Sequence, residues 1–300
     1  MMSMKLASAI VNGREEALWV SSGGYVPISR LREYFGGEGE PVIMSRILSD
    51  AALQDQLREF TQRATEAGVS LNTSIDRLLA PVPSPGKIIC VGLNYRSHAK
   101  ESQMEIPASP VLFNKYNNTV CGPGTVIDPP DDSGQLDYEA ELVVIIGKKG
   151  SHIPHEQALD YVAGYCNGND VSARDLQFRT GQWLLGKSCD QFAPMGPHMV
   201  TADEISDPDN LEITGWRNDE MVQHANTRDM IFSCRDLISY ISRYITLTPG
   251  DVIFTGTPEG VILGKPPESR RWLEPGETIS VEIQGLGRLT NEIGIPGRRG

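Results

Sequence analysis

The chain has 300 residues, 39% of them hydrophobic, and a formal net charge of −12. That size suits one large domain or two unequal ones, and the acidic balance argues against nucleic acid, whose phosphates need a basic face. No apolar run approaches the roughly 18 residues of a membrane span, so no membrane partner is expected.

The start, MMSMKLASAIVNG, has neither a basic n-region nor a sustained apolar h-region, so no secretory signal is expected. Residues 4–34 hold short alternating apolar stretches broken by Asn12-Gly13 and Gly23-Gly24, a hairpin signal. Residues 44–68 carry apolar positions at helical spacing and end on Gly68, which predicts one or two amphipathic helices. LAPVPSPGK, 79–87, has three prolines and marks a boundary: a small N-terminal α/β domain over 1–80 and the rest of the chain over 81–300. Beyond it, KIICVG reads as a buried strand, 110–127 as a strand region around Gly-Pro-Gly, and 136–146 as one continuous strand. Residues 155–163 predict a short helix behind Pro154, 165–177 a strand leading into a polar turn, and 229–244 a helix among strands. The five cysteines are an odd set without C-x-x-C spacing and read as reduced packing thiols in a cytoplasmic protein.

QLDYEAELVVIIG, 135–147, carries the first chemical signal. Side chains at i, i+2 and i+4 of a strand share a face, so Asp137, Glu139 and Glu141 project together, about 7 Å apart along it. Two unit charges about 4 Å apart repel by roughly 4 kcal/mol at an effective dielectric near 20. The competing reading is a solvated edge strand, but the unbroken Val143-Val144-Ile145-Ile146 takes this strand into a core. With Asp170, at the end of another apolar stretch, Glu139 and Glu141 make an all-oxygen site suited to Mg²⁺, Mn²⁺ or Ca²⁺ rather than zinc. Few protein ligands with open positions favour a catalytic Mg²⁺ or Mn²⁺. In NYRSHAKE, 94–101, His98 and Glu101 stand three apart and pair if the segment forms a helical turn. A carboxylate on one imidazole nitrogen makes the other a better base, although a plain surface turn reads the same way.

The ordered series N-Y-x-x-H-x-x-E (94–101), Y-E-x-E-L-x-x-x-I-G (138–147), N-D-x-S-A-R-D-x-Q (169–177), G-K-S-x-D-x-F-A-P-M-G-P (186–197) and P-G-D-x-I-x-T-G-T-P-x-G (249–260) resembles the fumarylacetoacetate hydrolase superfamily. The resemblance implies a mostly β, α+β fold with a C-terminal mixed β-sandwich roll, a Mg²⁺ or Mn²⁺ cofactor and a homodimer. It implies Glu139, Glu141 and Asp170 as metal ligands, His98 and Glu101 as a water-activating dyad, and Lys187 as the cation at an enolate oxygen. Gln177 and Thr257 match substrate-contacting positions. Asp137 falls outside the ligand set, as a spare carboxylate at the solvent-facing rim. Lys115, followed by Tyr116 where many relatives have proline or a small residue, keeps an open role.

Two local patterns compete. Residues 181–188 satisfy the Walker A expression, but a P-loop follows a buried strand, and Trp183-Leu184-Leu185 are too bulky for a phosphate cradle. His152 and His155 with Glu156 invite a zinc reading, but flank Pro154 in a turn. The expected function is therefore a metal-dependent hydrolase that cleaves a C–C bond in an acylpyruvate or diketo 2-oxo acid through an enolate. Oxaloacetate-type decarboxylation or tautomerisation, and hydroxymuconate-type isomerisation, are the alternatives on the same residues.

Overall fold

A computed structural model describes residues 4–101 and 104–297. Residues 102 and 103, within the 96–107 segment expected to shape specificity, lie outside the described residues.

The fold is mostly β, in mixed sheets. The larger sheet has 11 strands, with a main path running Gly24–Pro27, Arg14–Ser21, Lys5–Val11, Ala193–Thr201, Val162–Asn169, Ala140–Ile146, Val252–Phe254, Ile88–Gly92, Val111–Lys115. A five-stranded sheet runs Glu220–Asn226, Glu212–Arg217, Thr278–Ile283, Gly287–Ile293, Val126–Ile127. Ala140–Ile146 is buried at every position. Its period of two divides it between two cores. Leu142, Val144 and Ile146 meet Ile213, Val281 and Ile283 of the second sheet and Leu237 and Ile241 of the helix Cys234–Ser242. Val143 and Ile145 meet Met4, Leu6, Leu57 and Phe254. Fully burying each such side chain contributes about 1.5–3 kcal/mol relative to exposure, so the strand is a firm anchor for whatever its entry end holds.

The N-terminal hairpin closes at Asn12-Gly13, both in the left-handed region at φ 49° and 75°, as a two-residue turn between twisted strands requires. Its strand Lys5–Val11 is hydrogen-bonded to Ala193–Thr201 of the large sheet. The 44–68 periodicity resolves into two helices, Met44–Ser49 and Ala51–Glu66. Asp50 separates them because its extended backbone lets its side chain cap Leu53 N. The expected 229–244 helix starts only at Cys234, where Ser233 and Asp236 form a capping box. His155–Tyr161 is a 3₁₀-helix.

The strand expected over 136–146 is interrupted. Leu136–Asp137 pairs with Ser172–Ala173, and the ladder resumes at Ala140. Between them, Glu139 N donates to Asn169 Oδ1 at 2.9 Å and Asp170 N donates to the Glu139 carbonyl at 2.9 Å. This exchange of side-chain for ladder bonds draws the two acidic segments together.

His198, on Ala193–Thr201, is buried, and burial with the nearby Lys5 pushes its imidazole down to about 4. A depressed imidazole leaves the unfolded chain binding more protons than the folded one below the ordinary value of 6.5. Its contribution is therefore present above that value and lost as the pH falls to about 4. Urea midpoints should drop over that window in the wild type and drop less in His198→Gln; parallel profiles would contradict the assignment.

Candidate active site

Glu139, Glu141 and Asp170 are all buried, each offering a carboxylate oxygen within 4.8 Å of the other two. Glu139 and Asp170 already have cations. Lys187 Nζ donates to Glu139 Oε2 and Asp170 Oδ2, both at 2.9 Å, and Arg174 Nη2 donates to Glu139 Oε1 at 2.6 Å. Lys115 Nζ lies 2.5 Å from Asp170 Oδ1 and donates to the Val171 and Phe192 carbonyls. Burial alone would raise Glu139, but Lys187 and then Arg174 overcome it and hold its carboxyl well below the usual range. Glu141 differs: its Oε2 accepts the Gly256 N–H at 2.8 Å, and burial followed by Asp170 and Glu139 pushes its carboxyl well above the usual range. Gly256 sits at φ 99°, and a Cβ there would lie 2.7 Å from Asn94 Cβ, so this close N–H contact needs glycine.

Asp137 corrects the expectation of a rim carboxylate: it is fully buried. Its oxygens accept Arg174 Nε at 2.9 Å, Ile262 N at 2.9 Å and Leu263 N at 3.0 Å. It therefore fixes both Arg174 and the start of the 261–271 loop. Arg174 then spends Nη1 on Gln177 Oε1 at 2.9 Å, which turns the Gln177 amide NH₂ away from it. Four carboxylates (Asp137, Glu139, Glu141, Asp170) thus meet three cations (Lys115, Arg174, Lys187), a local excess of one negative charge. A divalent ion held there would reverse that sign and offset the repulsion that raises Glu141. The hard, all-oxygen donor set fits such an ion. Asp137→Ala is expected to cost about 2–4 kcal/mol by urea unfolding, because it removes one of the two carboxylates on buried Arg174 and leaves the Ile262 and Leu263 N–H groups without their acceptor; a cost below 1 kcal/mol would show that the pairing is replaceable.

His98 and Glu101 are brought together as expected, on the helix Arg96–Glu101. His98 Nδ1 lies 2.8 Å from Glu101 Oε1, which leaves Nε2 as the ring nitrogen for a substrate. Glu101 Oε2 accepts the Gly260 N–H at 3.1 Å. A Cβ on Gly264 would fall 2.4 Å from the Glu101 carboxyl carbon, so only glycine lets the loop approach this closely. Asn94 bonds the Phe232 and Thr255 carbonyls and holds the root of this helix.

A cavity of about 740 Å³ is lined by His98, Glu101, Glu139, Arg174, Gln177, Lys187 and Thr257 among others, so Glu139 is the triad carboxylate that reaches its wall. The Thr257 hydroxyl donates to Ala140 O and accepts from Gln223 Nε2, both at 2.9 Å. Trp183, of the Walker-like stretch, packs edge-on to Phe113 at 5.5 Å, and Lys187 follows in the one-turn helix Leu184–Lys187. The lysine enters the carboxylate cluster instead of a phosphate cradle. His155 Nε2 pairs with Asp236 at 3.2 Å, away from the triad. Sequence reasoning assigned no role to Arg174 or Lys115. The signal for Arg174 was its place in NDVSARD, one short turn beyond the Asp170 ligand position.

A mostly β fold that buries a carboxylate triad against a cavity holding a His–Glu pair has the layout of an enzyme's site. The model of the fumarylacetoacetate (FAA) hydrolase C-terminal family matches residues 87–294, and the chain belongs to that family. It is 46% identical over 217 residues to oxaloacetate tautomerase Fahd2a, mitochondrial, of Rattus norvegicus, covering 72% of this chain and 68% of that one. Among solved structures, a fumarylacetoacetate hydrolase from psychrophilic Exiguobacterium antarcticum aligns with a TM-score of 0.79 and 32% identity, over 97% of this chain and 99% of that one. A 2-hydroxyhepta-2,4-diene-1,7-dioate isomerase from Mycobacterium marinum aligns with a TM-score of 0.72 and 32% identity, over 98% and 100%. Among the described residues, no helix is long and apolar enough to cross a membrane.

Proposed function

We propose that the chain catalyses enolisation of a 2-oxo dicarboxylic acid, interconverting the keto and enol forms of an oxaloacetate-like substrate with Mg²⁺ or Mn²⁺ bound. The observation that carries this reading is one cavity lined by Lys187, Arg174, the Glu101-held His98 and Glu139, with Glu141 and Asp170 clustered on Glu139. Glu139, Glu141 and Asp170 would hold the ion, which supplies Lewis acidity to the 2-oxo oxygen when bound. His98 Nε2 takes the proton from the carbon next to the 2-oxo group, and Glu101 stabilises the resulting imidazolium through Nδ1. Lys187 places positive charge where the enolate oxygen develops, at a geometry fixed by Glu139 and Asp170. Arg174 and the Gln177 NH₂ meet a substrate carboxylate. Thr257, whose hydroxyl is engaged, offers its main-chain N–H. His98 then returns the proton to oxygen or carbon.

The named activity of the rat relative supports tautomerisation ahead of the C–C hydrolysis that the motifs first favoured. Hydrolysis is the second reading, because the His98–Glu101 pair also suits water activation and the Exiguobacterium structure is that of a hydrolase. The test is decay of enol-oxaloacetate absorbance with Mg²⁺ or Mn²⁺, alongside pyruvate release and acylpyruvate cleavage. Enol decay above the buffer rate without matching pyruvate supports tautomerisation. Acylpyruvate cleavage with no effect on enol decay would replace it with the hydrolase.

A further inference from the structure

The catalytic groups occupy only part of the cavity wall. Another part is the loop after Thr257, where Lys265 and Arg270 line the same cavity. This loop is not slack. Ile262 N and Leu263 N are tied to Asp137, Lys265 N donates to Ile262 O at 3.1 Å, and Ser269 N donates to Pro266 O at 2.8 Å. Downstream, Leu273 N donates to Leu136 O at 3.0 Å. Arg270 Nε donates to the Lys265 carbonyl at 2.9 Å, which seats the guanidinium beside Lys265. Two part-buried cations thus line one cavity wall, Arg270 fixed to the Lys265 main chain, in a chain whose net charge is −12. Among the described residues no carboxylate lies within 4.0 Å of either, although Lys87, Lys187, Arg174 and Arg217 all have such partners. Glu268 also touches this wall, but it is exposed and pairs with neither. Two cations on one cavity wall without a carboxylate partner are suited to receive an anion in the cavity.

We propose that Lys265 and Arg270 are specificity-determining residues that bind an anionic group at the far end of the substrate. This rests on the reading of the cavity as a 2-oxo acid site. The class it selects is a 2-oxo acid with a second carboxylate more remote than that of four-carbon oxaloacetate. Both carboxylates of oxaloacetate can be met near the triad by Arg174, Gln177 and Lys187. A longer diacid has one carboxylate left over, and this pair is where the cavity can receive it.

The experiment compares wild type, Lys265→Ala/Arg270→Ala and the charge-keeping Lys265→Arg with Mg²⁺. Two acylpyruvates are used, one ending in a carboxylate and one in a methyl group. In the double variant the kcat/KM ratio of carboxylate-ended over methyl-ended substrate should fall about tenfold or more, through KM, and Lys265→Arg should recover most of it. An unchanged ratio, or equal losses on both substrates, overturns the proposal. Calorimetric binding of 2-oxoadipate with Mg²⁺ gives the same contrast without turnover, so a chain inactive on both acylpyruvates still decides it. About tenfold weaker binding in the double variant supports the pair; equal binding, or none by wild type, refutes it. Loss of the enolising activity alone would refute only the proposed reaction.

Discussion

Glu141→Gln is expected to make the metal-free protein more stable while nearly abolishing its activity. Glu139 is matched by Lys187 and Arg174, and Asp170 by Lys115 and Lys187. Glu141 has the Gly256 N–H and, among the described residues, no cation in an ion pair with it, and it lies with the other two inside a 4.8 Å cluster. At an effective dielectric near 20, charges at that separation repel by roughly 3 kcal/mol. Glutamine keeps the oxygen for Gly256, removes the charge, and offers an NH₂ to the neighbouring carboxylates. A gain of about 1–3 kcal/mol in metal-free urea unfolding is the expected outcome. The same change deletes one of three anionic ligands, so Mn²⁺ affinity by calorimetry should fall at least about a hundredfold, and kcat/KM roughly a thousandfold. A variant that is less stable without metal, or that binds Mn²⁺ as tightly as wild type, would show that Glu141 is not the charge awaiting an ion. Opposite signs in stability and affinity separate a ligand from a structural carboxylate, which would lose both.

What local pattern could carry was legible in the chain. The unbroken Val143–Ile146 run announced a strand buried on both faces, and Asn12-Gly13 announced its hairpin. The clustering of Glu139, Glu141 and Asp170 was recoverable because the motifs that carry them fix their spacing along two neighbouring segments. His98 and Glu101 were recoverable because three residues make nearly one helical turn. Asp137 was misplaced because period two describes a regular strand, and this one breaks at Tyr138-Glu139. Its partners Ile262 and Leu263 lie 125 and 126 residues away, so no local window contains them. Lys265 and Arg270 were invisible for the same reason: their placement depends on the loop that Asp137 anchors. The Walker-like stretch shows the converse, a pattern legible in letters and wrong in space, because Trp183 packs on Phe113 where a phosphate would need open backbone.

Asp137 also joins two parts of the site that the chain presents separately. One oxygen holds Ile262 N, and the other holds both Arg174 Nε and Leu263 N. A few residues along, Gly260 N and Gly264 seat Glu101, and beyond them lies the Lys265–Arg270 wall. One buried carboxylate therefore links the guanidinium, which Glu139 and Gln177 also hold, to the loop that seats Glu101 and carries the distal wall. Positioning of this kind is where an enzyme gains rate without adding groups.

His98→Ala is expected to lower kcat for enolisation by about 10²–10⁴-fold, the usual contribution of a placed general base. His98 is 7% exposed, holds Glu101 at 2.8 Å and lies outside the triad, where it is a lesser influence on Glu139 than Lys187 and Arg174. Mn²⁺ affinity should therefore stay within about twofold, unlike that of Glu141→Gln. Glu101→Gln keeps the imidazole but cannot stabilise the imidazolium as a carboxylate does, so a smaller loss, about tenfold, is expected. The direct readout is exchange of the protons next to the 2-oxo group in deuterated water, followed by proton NMR with a substrate that cannot be cleaved. Exchange slowed in step with kcat places His98 at the carbon. Wild-type exchange in His98→Ala removes it from the enolisation step. If acylpyruvate cleavage alone then fails, the imidazole serves water, and hydrolysis regains the lead over tautomerisation.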